Sequence, residues 1–188
     1  PVAPMGLVGL GLSSGTRTGL QADLVAIVAP GVVSALLFVV VGGLKERWGD
    51  ANLETARAAL REITPRLGFA LIVGLAGSLG LPGLAGFWGE FLSVYAAWSP
   101  AADRPQGLFR TLAVVAAVGT VLAAAYALRV ARTVWAGERT EPPIADSRDS
   151  EWDVIAVLVV AVLLLGIAPG PLLAMTGDAV TTFVGAAP

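Results

Sequence analysis

The stretch "GLPGLAGFWGEF", Gly80 to Phe91, combines helix-breaking residues with a single acid. Glu90 is the only charged residue between Leu67 and Trp98. Pro82 donates no backbone hydrogen bond, and the glycines around it permit an irregular backbone. The stretch therefore predicts an apolar helix that is interrupted shortly before a lone carboxyl group.

The composition of the 188 residues favours a membrane protein. Hydrophobic residues make up 56% and charged residues 14%, and the mean hydropathy is +0.79, values that soluble domains rarely reach. The absence of cysteine and histidine excludes disulfides and thiolate metal sites and removes the commonest metal ligand. A net charge of −2 gives no reason to expect a nucleic-acid partner. We therefore expect no metal in this chain, and no nucleotide cofactor either, because no phosphate-binding glycine loop follows a strand.

Windows with few charges predict the membrane spans, because a crossing helix needs roughly 20 apolar residues. The window "VIAVLVVAVLLLGIA", 154–168, lacks the recurring polar face of a soluble helical bundle. We predict an all-α membrane protein, a bundle of about five transmembrane segments. These are a partial span at 1–12 and spans at about 21–45, 67–98 (broken at 79–86), 108–135 and 152–174. Pro1 begins directly in an apolar run without an initiator Met, so we expect a fragment that starts inside a span.

The basic residues distinguish the two sides of the membrane. Nine lie in the loops 45–66 and 129–153, and three lie in the opposite loops. We therefore expect both basic loops in the cytoplasm and the C-terminus on the other side. Within them, "NLETARAALREI", 52–63, has helical spacing and predicts a short surface helix. "GERTEPPIADSRDSE", 137–151, contains two adjacent prolines and predicts a solvated linker.

A straight helix over 67–98 would be too long for the bilayer. Its 32 residues span about 48 Å, whereas the hydrocarbon core is about 30 Å thick. An irregular segment inside 79–86 shortens the path. Trp98 is expected at the interface, which places Glu90 about 12 Å deep. Backbone groups freed at the break are tolerated only against protein or internal water, so we expect a packed bundle that holds water.

Glu90 is the candidate catalytic residue, as a proton carrier. The positive end of the second half-helix favours its carboxylate and burial favours its neutral form, so the group is able to gain and lose a proton. Acids inside membranes cost roughly 2.5–3.5 kcal/mol at the centre and usually mark an ion or proton path. The alternative is a proline-kinked span whose Glu90 pairs with an arginine of a neighbouring helix. Asp23, at the outer end of its span, is interpreted as a helix-start acid rather than as part of a proton exit.

Four motifs carry a resemblance to one family. The segment "SLGLPGLAGFWGEFL", 78–92, is similar to the discontinuous helix of the antiporter-like membrane subunits of respiratory complex I and of Mrp-type sodium/proton antiporters. "VGGLKERWGD", "LAAAYALRVARTVWAG" and "LLLGIAPGPLL" resemble the flanking helices and loops of that family. Residues 1–188 look like the C-terminal part of its proton-conducting membrane domain. Within the family, a glutamate at the position of Glu90 is typical of subunit M of the bacterial NADH:quinone oxidoreductase.

The resemblance implies a proton-translocating subunit that couples quinone reduction to proton transfer through Glu90. It implies a helix break at Gly80, Pro82, Gly83 and Gly86, with Ser34 and Ser78 as candidate channel-lining residues. The partners would be neighbouring antiporter-like subunits and the lipid bilayer of the bacterial inner membrane. NADH, flavin, iron–sulfur clusters and quinone would all be held by other subunits, so the chain would belong to an enzyme without doing redox chemistry itself.

Three positions depart from the family pattern. Pro4 and Pro30 stand where the family commonly has histidines, and Val33 stands where it has a serine. Two alternatives therefore stay open besides the proton-pumping subunit. One is a Mrp-type or hydrogenase-linked antiporter subunit, and the other is a membrane scaffold that lost pumping together with its histidines.

Overall fold

A computed structural model of the chain describes residues 2–49, 59–137 and 144–185, and every regular element in these ranges is a helix. The all-α prediction is therefore confirmed for this part of the chain. The elements are α1 (Val2–Ser13), α2 (Arg17–Trp48), α3 (Leu60–Ile63), α4 (Pro65–Ser78), α5 (Gly86–Trp98), α6 (Gln106–Val130) with a π-helical turn (Ala131–Trp135), α7 (Asp149–Ile167) and α8 (Gly170–Gly185).

Three of the described helices are long and apolar enough to cross a membrane: α2, α6 together with its π-helical turn, and α7. Each overlaps one of the predicted spans. Helix α4 has 14 residues and α5 has 13, both fewer than the roughly 17 that a crossing helix needs. Residues 79–85 between α4 and α5 are not helical.

Helix α2 lies at the centre of the bundle and packs against α1, α4, α5, α7 and α8. Leu36 and Val40 on α2, Leu67 on α4 and Val162 on α7 are all at most 1% exposed and belong to the same core. Thr16 begins α2 as its N-cap, because its Oγ1 accepts a hydrogen bond of 3.0 Å from the Gly19 amide. The same core includes Ala85 at the end of the non-helical segment 79–85, which is called the break below. The core therefore holds the break beside α2 and α7.

The turn between α1 and α2 marks one end of the bundle, called the outer end below. The Ala101 amide, just past α5, donates a 3.0 Å hydrogen bond to the Ser14 carbonyl, just before α2. The start of α2 and the end of α5 are therefore neighbours, so these two helices run antiparallel. This register decides which residues of α2 face Glu90.

The opposite end, called the basic end below, is tied together by Arg47 and Asp146. Arg47 donates hydrogen bonds to the carbonyls of Ala145 (2.8 Å) and Asp146 (3.1 Å) and pairs with Glu151 at 2.6 Å. The Asp146 carboxylate accepts a 3.0 Å hydrogen bond from the Arg66 amide at the start of α4. The prediction of a solvated linker is therefore wrong for residues 144–148, because these contacts fix it to α2 and α4. Residues 138–143 of that segment lie outside the described residues.

Two further segments complete the comparison with the predicted elements. Of the predicted surface helix at 52–63, residues 52–58 lie outside the described residues, and the described part contains the short α3. Leu60 of α3 is 0% exposed, whereas the side chains of Arg61 and Glu62 are 49% and 61% exposed. The described part therefore has the exposed, charged side that the predicted surface helix requires. The predicted span 152–174 contains the end of α7 and the start of α8, because Pro169 has no amide hydrogen with which to continue a helix.

Candidate functional site

The segment between α4 and α5 has an irregular backbone. Gly80 and Gly83 have φ values of +60° and +89°, which glycine adopts without the steric cost that other residues pay. Pro82 lies between them and cannot donate a hydrogen bond. A few local turns remain, such as the 3.0 Å hydrogen bond from the Leu84 amide to the Leu81 carbonyl. The break is therefore a set of tight turns that the glycines and proline make possible.

Close packing holds the break in place. A Cβ built on Gly86 would collide with the Gly77 carbonyl oxygen and would lie 3.2 Å from the Gly80 Cα. On the other side, Gly166 of α7 lies directly against the backbone of residues 83–84. The Trp88 indole donates a 2.9 Å hydrogen bond to the Gly166 carbonyl. The ends of α4 and α5 are thus fixed to each other and to α7.

The carboxyl group of Glu90 lies against the break. A Cβ built on Gly80 would be 2.5 Å from the Glu90 Oε2 atom and 2.7 Å from its Cδ atom. Glu90 is half-buried, and within the described residues it has no hydrogen bond and no ion pair. Among the described residues of this chain, Glu90 therefore forms no ion pair with an arginine, in contrast to the alternative interpretation.

Two cavities border Glu90. One of about 310 Å³ lies among α1, α6 and the break, and one of about 500 Å³ lies among α1, α2, α4 and α5. Glu90 and Ser78 line both cavities, and Ser34 lines the larger one. A water occupies about 30 Å³ in the liquid, so each cavity has room for several waters. The structure thus brings Glu90, Ser34 and Ser78 together around one space.

The remaining predicted residues occupy different places. Gly80 touches the Glu90 carboxyl group, and Gly86 lines the larger cavity. Pro82 is exposed, and Gly83 contacts α7. Pro30 also lines the larger cavity, while the side chain of Pro4 is not among the described ones. The walls are mainly apolar, so Glu90, the two serines, Thr120 of the smaller cavity and Tyr126 of the larger one supply the side-chain groups that would attract water.

The sequence interpretation of Asp23 is wrong. Helix α2 begins at Arg17, so Asp23 lies more than a turn inside it instead of at its start. The side chain is 6% exposed, and neither carboxyl oxygen has a hydrogen-bond partner among the described residues. Thr16 was the available signal, because a threonine before an apolar run is a preferred N-cap and would have placed Asp23 in the second turn.

The comparisons with known proteins agree with this fold. The family model described as "NADH:quinone oxidoreductase/Mrp antiporter, TM" matches residues 1–122. NADH-quinone oxidoreductase subunit 13 of Thermus thermophilus is 35% identical over 88% of this chain and 33% of its own length. NADH-quinone oxidoreductase subunit M of Rickettsia felis is 30% identical over 92% of this chain and 34% of its own length. The chain therefore spans about a third of the length of these curated relatives.

A solved structure shows the same likeness in three dimensions. A chain in the structure of respiratory complex I from Thermus thermophilus with bound NADH matches with a TM-score of 0.81 and 30% identity. The match covers 97% of this chain and 38% of that chain. The resemblance predicted from residues 78–92 and their flanks is thereby confirmed. The chain belongs to the NADH:quinone oxidoreductase/Mrp antiporter family, as an antiporter-like membrane protein.

Proposed function

We propose that this chain is part of a proton-translocating membrane subunit of a NADH:quinone oxidoreductase, in which Glu90 binds and releases the transported proton. The observation that carries the proposal is the Glu90 carboxyl group itself, half-buried and unpaired among the described residues, at the meeting point of two cavities. An acid in an apolar bundle is costly and usually marks an ion or proton path.

The neighbouring residues suit a proton carrier. Backbone groups freed at residues 79–85 need hydrogen-bond partners, and water in the cavities would supply them. The same water would connect Glu90 with the hydroxyl groups of Ser34 and Ser78. Glu90 would lose its proton to water on one side and regain one from the other side when charges in adjacent subunits change. Quinone reduction elsewhere in the complex would drive those changes.

The proposal includes an arrangement in the membrane. Helices α4 and α5 are the two halves of one discontinuous crossing, since their 14 and 13 residues add up to about 40 Å of helix, enough for a core of about 30 Å. With α1, α2, α6 and α7 this makes about five transmembrane segments. The loops 45–66 and 129–153 face the cytoplasm of a bacterium, whose inner membrane holds the protein.

Single cysteines test this arrangement, because the chain has no native cysteine. Ala145 and Ala102 are exposed at the basic end and the outer end. A membrane-impermeant maleimide should label cysteine at position 145 only in inside-out vesicles and cysteine at position 102 only in right-side-out vesicles. Labelling of both from the same side would contradict the arrangement.

Two other functions remain as alternatives. The first is a Mrp-type or hydrogenase-linked cation/proton antiporter subunit. It is favoured by the family description, which names Mrp antiporters beside NADH:quinone oxidoreductase. The genes next to this one would distinguish it from the oxidoreductase subunit. A non-pumping scaffold is favoured by Pro30, which stands in the larger cavity at the position of a family histidine. The partners in each case are other membrane subunits and lipid.

The deciding experiment replaces Glu90 in the full-length subunit within its assembled complex. Glu90→Gln keeps the shape of the side chain but releases no proton, so protons pumped per NADH should fall at least tenfold at matched complex content. Glu90→Asp keeps a carboxyl group one methylene short and should retain part of the pumping. Glu62→Gln is the control, because Glu62 is 61% exposed at the basic end and should pump normally. Normal pumping by Glu90→Gln would overturn the proposal and favour the scaffold.

A further inference from the structure

Asp23 is a second acid without a partner in the bundle. Its side chain is 6% exposed, and both carboxyl oxygens lack a hydrogen bond among the described residues. The group lies against α1, because a Cβ built on Gly11 would be 3.2 Å from the Asp23 Cγ atom and would collide with Oδ1. Burying a carboxyl group without a donor or a counter-charge is costly, so its presence here calls for a use.

The register of α2 and α5 places Asp23 about one helical turn from Glu90 along the bundle, toward the outer end. Gly89 packs against α2, since a Cβ built on it would lie 2.8 Å from the Ala26 Cα. Asp23 precedes Ala26 by three residues, so it lies on the same face of α2, about 4.5 Å nearer the outer end. Ser93 follows Gly89 by four residues, about 6 Å nearer the same end. Ser93 and Asp23 are therefore at nearly the same height, one turn beyond Glu90.

Buried polar groups continue from there to the outer surface. Ser93 and Ser14 are both 0% exposed. The Ser14 hydroxyl lies 3.0 Å from the Thr16 hydroxyl in the turn between α1 and α2. Gly11, which contacts Asp23, accepts a 2.6 Å hydrogen bond from Ser14. By register, the Ser93 hydroxyl, which donates a 2.8 Å hydrogen bond to the Gly89 carbonyl, is thus level with Asp23, and the Ser14 hydroxyl lies between Asp23 and the outer surface.

Few other charges act on Asp23. The helices that pack against the outer half of α2 are α1, α5 and α8, and α8 is attached there by a 2.7 Å hydrogen bond from Gln21 to the Leu173 carbonyl. Among the described residues of these three helices the charged ones are Glu90 and the exposed Asp178. On α2 itself the nearest charge is Arg17 in the exposed first turn, and the half-exposed Arg104 lies beside Gly15 in the turn before α2. Arginine stays protonated and exchanges no proton near neutral pH. Among the described residues of these elements, the half-buried Glu90 is therefore the acid inside the bundle that is available to exchange a proton with Asp23.

We propose that Asp23 is a second proton-binding site, which receives the proton from Glu90 and passes it to the outer surface. This inference rests on the proposed function of Glu90. In the transfer, the O–H bond of protonated Glu90 breaks and an O–H bond forms on the Asp23 carboxylate, with the Ser93 hydroxyl and water as the bridge. The negative charge moves from Asp23 to Glu90. Release through water at Ser14 and Thr16 then returns Asp23 to its carboxylate.

The test compares Asp23→Asn with Asp103→Asn in the full-length subunit of the assembled complex. Asp103 is a matched control, because its side chain is 74% exposed at the same outer end. Protons pumped per NADH should fall at least threefold in Asp23→Asn and stay normal in Asp103→Asn, while Asp23→Glu should recover part of the loss. Normal pumping by Asp23→Asn in a complex that loses pumping in Glu90→Gln would overturn this inference alone. Normal pumping by both variants would overturn the proposed function and this inference with it.

A measurement on the unmodified complex covers the case in which Asp23→Asn does not assemble. An apolar carbodiimide reacts with protonated carboxyl groups, and mass spectrometry locates the adduct. Labelling of Asp23 should differ at least twofold between resting membranes and membranes that oxidise NADH. Equal labelling in the two conditions, or none at all, would contradict a proton-binding role for Asp23.

Discussion

Two acids at the basic end of this bundle and two acids in its interior have opposite surroundings. At the basic end, Glu151 pairs with Arg47 at 2.6 Å and accepts a 2.9 Å hydrogen bond from the Arg148 amide. Asp149 pairs with Arg66 at 3.0 Å. At the break and the outer end, Glu90 and Asp23 have no partner among the described residues, although both are less accessible than Asp149.

We interpret this difference as one between structural acids and the acids proposed for proton transfer. A paired carboxylate near the surface connects helices and contributes modestly to stability. An unpaired carboxyl group inside the bundle lowers stability, because it loses water without gaining a partner. Residues of the second kind persist where they do chemistry. Substitutions at the basic end should therefore change stability, and substitutions beside Glu90 should change proton transfer.

Among the substitutions that test this comparison, the largest effect is expected from Gly80→Ala, which tests whether the position of the Glu90 carboxyl group matters. The added methyl group would lie 2.5 Å from the Glu90 Oε2 atom, so the carboxyl group must move away from the break. We expect protons pumped per NADH to fall at least fivefold. Pumping is measured in membranes with matched complex content.

Gly83→Ala is the matched control for this substitution. Its φ of +89° makes alanine strained there as well, but a Cβ at Gly83 would meet nothing within 4 Å. The two variants share the backbone cost of about 1–2 kcal/mol, and only Gly80→Ala displaces Glu90. An equal loss of pumping in both would show that backbone strain, not the carboxyl group, is responsible.

A smaller effect, on stability alone, is expected from Arg47→Gln. Arg47 joins α2 to residues 145, 146 and 151, and its side chain is only 11% exposed. Its loss leaves Glu151 and two carbonyls without a charged donor, which should cost about 2–3 kcal/mol. The thermal midpoint of the subunit in the purified complex should fall, while pumping per NADH in the assembled fraction stays normal.

Arg61→Gln serves as the control for Arg47, because Arg61 is 49% exposed and its partner Glu62 is its neighbour in the chain. Exposed pairs of this kind contribute about 0–1 kcal/mol, so the thermal midpoint should hardly move. A loss of pumping in Arg47→Gln at an unchanged midpoint would remove the distinction between the two ends.

Local residue properties explain what the sequence predicted well. The helical class and membrane character follow from composition and charge-free windows, which need no knowledge of partners. The irregular segment inside 79–86 was predicted because Pro82 and its neighbouring glycines act on their own backbone. Residues 79–85 lie outside helices, and the union of α4 and α5 in one broken crossing stays a prediction. Glu90 was predicted as the site because it is alone in a long apolar stretch, and its role as a proton carrier also stays a prediction.

Contacts between distant residues explain what the sequence did not predict. Arg47 and Glu151 are separated by 104 positions, and Arg66 and Asp146 by 80. Nothing in either loop alone distinguishes a charge that pairs from one that is solvated, so residues 144–148 were predicted as part of a solvated linker. Asp23 was misassigned for a local reason, because the N-cap Thr16 was not used to locate the start of α2, but its burial against Gly11 of α1 depends on a second helix.

The smallest effect on stability is expected from substitutions of Asp146, whose carboxylate accepts a hydrogen bond at the start of α4. Its Oδ2 atom accepts a 3.0 Å hydrogen bond from the Arg66 amide, and Oδ1 accepts a 2.8 Å bond from the Ser147 amide. Asp146→Asn keeps one acceptor and loses the charge at the positive end of α4, so it should cost about 0.5 kcal/mol. Asp146→Ala removes every acceptor and should cost about 1 kcal/mol. The thermal midpoints should therefore fall in the order wild type, Asn, Ala, with pumping per NADH unchanged in all three. If Asp146→Ala were as stable as wild type, the contact between residues 144–148 and α4 would contribute nothing, and this segment would depend on its hydrogen bonds with Arg47.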